Sequence, residues 1–144
     1  MMHYYAINNW GQRSVLSNQI LKAINGEYAA IHCYGEIIQM APSQKVREVV
    51  TEIRQDEIRH FETFSQMYQQ LTGTQPQIQK RPSCPNSYVD AIKAAFIDEQ
   101  ETVDFYYGIA SGTSDSTIQS AFKRAAADEQ NHAVWFLYFL MGHQ

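Results

Sequence analysis

A chain of 144 residues, 44% of them hydrophobic, has enough apolar material for a core and reads as one domain over 1–144, which sets disorder aside. Its net charge of -4 gives no electrostatic footprint for nucleic acid. The longest apolar run, "AVWFLYFLM" at 133–141, is too short to span a bilayer, and no basic cluster offers itself to an anionic membrane.

The opening "MMHYYAINNW" has no basic leader and no long apolar centre, so no signal peptide is expected. Helical periodicity begins near 14 and divides into four segments, 14–40, 43–71, 87–110 and 115–141. The breaks are "APS" at 41–43, "GTQPQIQKRPSCPNS" at 73–87 and "SGTSDS" at 111–116. Ser43, Ser87 and Asp115 stand where an N-cap oxygen can accept from an orphan first-turn N–H. No segment alternates with period two, so the fold expected is all-α. The short first and third breaks imply antiparallel neighbours. The long middle one, ~50 Å if extended, is enough for a crossover between the second and third helices.

Cys33 and Cys84 stand far apart, with no Cys-x-x-Cys pair. That argues against a cysteine zinc site and a disulfide framework, and suits a reduced cytoplasmic compartment, with a single Cys33–Cys84 bond left open. Cys33 reads most simply as a small packing residue. His3, His32 and His143 read as ordinary.

The second segment carries an apolar ladder, Val46, Val50, Ile53, then Phe64, Met67, Leu71. Glu57 and His60, in "RQDEIRHFET" at 54–63, occupy the rungs between. The fourth segment runs Ile118, Phe122, Ala125, then Phe136, Phe139, with Glu129 and His132 in the gap. These lie 72 residues after Glu57 and His60. The first and third segments keep the same offset. Ile20, Ile24, Glu27, Ile31, Tyr34, Ile38 answer to Ile92, Phe96, Glu99, Val103, Tyr106, Ala110. The chain is a tandem repeat of a helical hairpin, and its polar rungs are what it repeats most faithfully.

Each helix thus aims a carboxylate at the bundle axis, and two add a histidine one turn on. A Glu-x-x-His pair shares one face because i and i+3 are neighbours on a helix. One such pair is a weak signal and is commonly just surface. Two in register, each with a glutamate 30 residues upstream, are not. Burying four carboxylates costs several kcal/mol per ion unless cations or protons neutralise them. No basic residue shares the rungs, since Arg54 and Arg59 fall elsewhere on the wheel. Two divalent ions would balance the charge. Carboxylate oxygen with imidazole nitrogen suits iron or manganese, and zinc less well. The candidate ligands are Glu27, Glu57, His60, Glu99, Glu129 and His132. Glu101 is a rival for the third helix but breaks the offset.

Metal-bound histidine usually gives its other N–H to a carboxylate. Asp56 is expected to serve His132, and Asp128 to serve His60. Tyr34 and Tyr106 either donate to a ligand carboxylate or pack as core aromatics.

At these residues the chain resembles the rubrerythrin branch of the ferritin-like superfamily. "GEYAAIHCY" with "DEIRH", and "DEQETVDFY" with "DEQNH", look like the two halves of that domain, and the likeness covers 14–141. It implies an antiparallel four-helix bundle with a carboxylate-bridged di-iron centre, Glu57 and Glu129 bridging or chelating, and one histidine per iron. The implied chemistry is reduction of peroxide or dioxygen, or oxidation of ferrous iron. A structural or coat-type protein, with metal stapling the bundle, is the alternative. The chain departs from the family pattern in three ways. These 144 residues lack the Cys-x-x-Cys pairs of a rubredoxin-like module, so electrons are expected to come from a separate donor. Thr102 stands where many rubrerythrins carry a further glutamate. No fifth helix completes a ferritin cage. The all-round apolar end of the fourth helix leads to an expected homodimer through Trp135, Tyr138 and their neighbours.

Overall fold

The computed structural model describes the backbone of residues 2–79 and 82–143; side chains are described at 11, 13–79 and 82–143. Four helices follow one another: α1 (Met2–Met40), α2 (Gln44–Thr72), α3 (Tyr88–Ser111) and α4 (Ser116–Leu140). There are no strands among the described residues. Ser43 accepts from Val46 N at 3.2 Å and Ser87 from Asp90 N at 3.2 Å. Asp115 accepts from Thr117 N and Ile118 N at 2.9 and 3.1 Å. Gly73, at φ 76°, closes α2 by donating to Gln69 O; this left-handed turn suits a residue without Cβ.

α1 begins twelve residues before the expected 14, at Met2. The apolar periodicity from which the start was read sets in only near 14, and Asn8, Asn9 and Gly11 ahead of it are poor helix formers. A nucleated helix extends at little cost per residue, so weak formers at its end do not stop it.

Helix direction follows from contacts across the bundle. Glu27 and Tyr34 of α1 meet Tyr106 and Glu99 of α3, in reversed order. Asp56 and His60 of α2 meet His132 and Asp128 of α4, again reversed. α1 packs on α2 and α3, and α4 packs on α3 and α2, leaving α1/α4 and α2/α3 as the diagonals. α2 and α3 therefore run the same way, and the connector between them must travel the length of the bundle. It climbs along α1. The Asn25 amide donates to Gln77 O at 3.3 Å and its oxygen accepts from Gln79 N at 2.6 Å. Further up, Cys84 is bonded to Cys33, with Cα atoms 5.5 Å apart. Cys33 is thus a covalent anchor as well as a packing residue. Spacing along the chain gave no hint of it, because 51 residues separate the pair and only the crossover brings them together.

The core is in two parts. One holds Ile20, Ile24, Phe64, Tyr106 and Phe122; the other holds Tyr34, Ile37, Val50, Ile92 and Phe136. The ladder of α1 and α3 differs in detail from the expected one. Ala23, Ala30 and Ile37 are buried while Ile31 and Ile38 are only half-buried, and on α3 Ala91 and Ala95 go deeper than Phe96. A 3.6-residue turn drifts against a strict three–four ladder, and small side chains let the backbones approach.

Candidate metal centre

Six polar side chains occupy the space between the two apolar plugs. Glu27, Glu57, Glu99, Glu129 and His132 are at most 2% exposed, and His60 is 7% exposed. They form two overlapping groups, Glu27, Glu57, His60 and Glu129, and Glu57, Glu99, Glu129 and His132. Glu57 and Glu129 belong to both. Within each group the donor atoms lie within 4.8 Å of one another. His60 Nδ1 is 3.1 Å from Glu129 Oε1, 3.5 Å from Glu27 Oε1 and 3.6 Å from Glu57 Oε1. His132 Nδ1 is 3.1 Å from Glu57 Oε1 and 3.5 Å from Glu99 Oε2. Glu57 Oε1 therefore stands between the two imidazoles. Glu101 is exposed and takes no part.

The outer contacts cross between the two halves. His60 Nε2 pairs with Asp128 Oδ2 at 2.9 Å, and His132 Nε2 with Asp56 Oδ2 at 2.7 Å. With Nε2 donating, each ring can turn a lone pair on Nδ1 inward. The tyrosines donate to ligand carboxylates, Tyr34 to Glu99 Oε1 at 2.5 Å and Tyr106 to Glu27 Oε1 by a short bond. Sequence reasoning missed a further layer. Arg59 grips Asp56, and Arg124 Nε donates to Asp128 Oδ1 at 3.2 Å. The 72-residue offset does not relate these arginines, so the repeat gave no signal for them. Arg54, half-buried, donates to the Ile31 carbonyl at 2.7 Å, away from the site.

One donor atom on each of the six makes no well-aligned hydrogen bond: Glu27 Oε2, Glu57 Oε1, His60 Nδ1, Glu99 Oε2, Glu129 Oε1 and His132 Nδ1, although His60 Nδ1 approaches Glu129 Oε1, and His132 Nδ1 approaches Glu57 Oε1, to 3.1 Å. Buried polar atoms without well-aligned hydrogen bonds are costly, and here they converge. The set suits a pair of hard or borderline divalent cations.

Without cations, the charges push protons onto the site. Burial raises the Glu57 and Glu129 carboxyls well above their ordinary value, and the neighbouring glutamates add to this. Burial alone would depress His60, but Asp128, Glu129 and Glu27 outweigh it and push it up to about 11. His132 is raised, against its own burial, by Glu99 and Asp56. For all four groups the folded value exceeds the unfolded one. Their contribution to stability is full below the unfolded pKa, about 4.3 for Glu and 6.5 for His, and is lost as pH climbs through the folded value. Asp128, lowered by its bond to His60 despite burial, acts in the opposite sense only in strong acid. Metal-free protein should therefore show a Tm that falls as pH rises from about 4 towards about 11. A flat or rising Tm in thermal melts would contradict this electrostatic picture.

A pocket of about 120 Å³ lies between α1 and α3 and touches Glu27, Glu57 and Glu129; Gly26, Thr102 and Tyr106 also line it. The side chain at 102 is short, and its hydroxyl is turned back to the Asp98 carbonyl at 2.7 Å.

A crossover four-helix bundle with buried Glu-x-x-His pairs at its centre is a ferritin-like protein. The chain belongs to the rubrerythrin family, whose model, described as "Rubrerythrin", matches residues 18–140. It is 50% identical over 127 residues to "Uncharacterized protein YhjR" of Bacillus subtilis (strain 168), covering 88% of each chain. Solved structures of similar fold include "Hypothetical Protein Pfu-1136390-001" from Pyrococcus furiosus, with TM-score 0.79, 16% identity and 88% of both chains covered. Another is "a conserved hypothetical protein, rv2844", from Mycobacterium tuberculosis, with TM-score 0.77, 16% identity and coverage of 92% of this chain and 95% of that one. At that identity these two speak for the fold alone. No helix among the described residues is long and apolar enough to cross a membrane.

Proposed function

We propose that this protein is a binuclear non-haem iron oxidoreductase that reduces peroxide or dioxygen, or oxidises ferrous iron. The observation that carries the reading is the convergence of six buried donor atoms, one from each side chain, in two groups sharing Glu57 and Glu129. Glu27 and His60 would hold one ion, Glu99 and His132 the other, and Glu57 and Glu129 both; manganese fits the same donors. Two ferrous ions bound there would supply the two electrons that peroxide reduction needs. Tyr34 and Tyr106 keep their protons, because burial and the adjacent glutamates raise both hydroxyls well above the ordinary value. They orient Glu99 and Glu27 as neutral donors. The two apolar plugs exclude bulk water, and the pocket beside Thr102 leaves a way in for a molecule of the size of peroxide.

The test is anaerobic loading with ferrous iron followed by one equivalent of peroxide. Rapid growth of near-ultraviolet ferric absorption, with peroxide consumed, is the expected result. Metal bound at two per chain without that response would leave the structural or coat-type role. Asp56→Asn and Asp128→Asn should each weaken metal binding by roughly 10–100-fold while leaving the fold intact, since each removes the carboxylate that orients a ligand histidine. Equilibrium titration checks it, and unchanged affinity would remove these aspartates from the site.

The proposed reductant is a separate electron donor. The compartment proposed is the cytoplasm; because Cys33 and Cys84 are bonded to each other in the structure, trapping thiols in native extract tests it, and a bond found intact there would refute it. The proposed assembly is a homodimer through α4. Trp135 packs inward on Phe139, with its ring 5.4 Å from Lys45 Nζ, whereas Val134, Leu137, Tyr138 and Met141 form an exposed apolar stripe at helical spacing. Leu137→Arg should convert a dimer to a monomer in light scattering. A monomeric wild-type protein at micromolar concentration would refute the assembly.

A further inference from the structure

The geometry points to a second metal site, separate from the six-residue centre and opened by reduction of the Cys33–Cys84 bond. It would take one zinc-type divalent ion on Cys33, Cys84, His32 and Glu36. His32, Glu36 and Cys84 already bring donor atoms within 4.8 Å of one another. His32 Nε2 and Glu36 Oε1 are 3.7 Å apart. On α1, His32 and Glu36 are one turn apart and share a face, and Cys33 is tied to them through Cys84, to which it is bonded. The connector brings Cys84 to that face. Two sulfurs, an imidazole and a carboxylate make a tetrahedral set of borderline softness, which suits zinc.

The expectation that the cysteines form no zinc site rested on the absence of a Cys-x-x-Cys pair. The crossover supplies in space what the spacing lacked. Reduction takes two electrons and two protons from a dithiol, which itself becomes a disulfide, and leaves two thiols on this chain. Metal binding then releases the two thiol protons. For both sulfurs to hold one ion they must part from covalent contact to about 3.8 Å, given Zn–S bonds of 2.3 Å. Room exists for this: a pocket of about 230 Å³ beside the bond is lined by both cysteines, Pro82, Ser83 and Pro85.

The experiment uses the full chain, reduced and freed of reductant under anaerobic conditions, then titrated with cobalt(II). The six-residue centre contains no sulfur, so thiolate-to-cobalt charge transfer reports the second site alone. Reduced protein should develop this band to a limiting intensity of one thiolate-bound cobalt per chain, whatever further cobalt the six-residue centre takes up; zinc should displace it, and reoxidation should abolish it. His32→Ala and Glu36→Ala keep both thiols and should each weaken the cobalt affinity roughly tenfold or more. Cys33→Ser should give no reoxidisable site. Absence of the band in reduced wild-type protein would overturn the proposal. So would a band that His32→Ala and Glu36→Ala leave unchanged, which would mark a bare dithiol.

Discussion

Glu57→Gln is expected to raise the Tm of the metal-free protein and to abolish most of the Tm rise that metal gives. The two effects have opposite signs because one carboxylate is a liability without cations and an asset with them. In metal-free protein Glu57 is buried among like charges, which disfavour its ionised form. A neutral amide of the same shape relieves that. With metal present, a ligand saturating its site at a thousandfold its Kd contributes about 4 kcal/mol, so two ions contribute about 8 kcal/mol. For a domain of this size 1 kcal/mol moves Tm by about 3 °C, so loading should raise the wild-type Tm by ~20 °C. Glu129→Gln should behave likewise, since it too belongs to both groups. Differential scanning calorimetry with and without ferrous or manganous ion decides the matter. A loss of metal-free stability in both variants would mean that the glutamates are satisfied by the protein itself.

Cleavage of the Cys33–Cys84 bond is the second large effect. The bond closes a loop over a sequence separation of 51. Chain-entropy reasoning puts the stabilisation from a loop of that length at about 4 kcal/mol. Reduced protein without added zinc should therefore melt ~12 °C lower, and Cys84→Ser should match it. The Asn25 clasp on Gln77 and Gln79 would still hold the lower part of the connector. Equal Tm values for the oxidised and reduced forms would show that the bond constrains nothing that the hydrogen bonds do not.

The bundle and its crossover were legible because hydrophobic period, cap residues and loop length are local signals. Ser43, Ser87 and Asp115 each announce a helix start one residue away. The six polar rungs were legible for another reason: each interrupts an apolar ladder, and the interruptions recur at one offset. What escaped depends on side chains meeting from distant parts of the chain. The partners of Asp56 and Asp128 on the arginine side follow no repeat, and the disulfide depends on the path of the connector. His32 looked ordinary because its neighbours in the proposed zinc site are one residue and one turn away on α1, and one on the far side of the loop.

The crossed contacts make each half of the chain dependent on the other. Tyr34 holds Glu99 while Tyr106 holds Glu27, and each half's histidine rests on the other half's aspartate. Neither hairpin carries a finished half-centre that could operate by itself. Two identical copies of one hairpin, paired about a twofold axis, would assemble the whole cage.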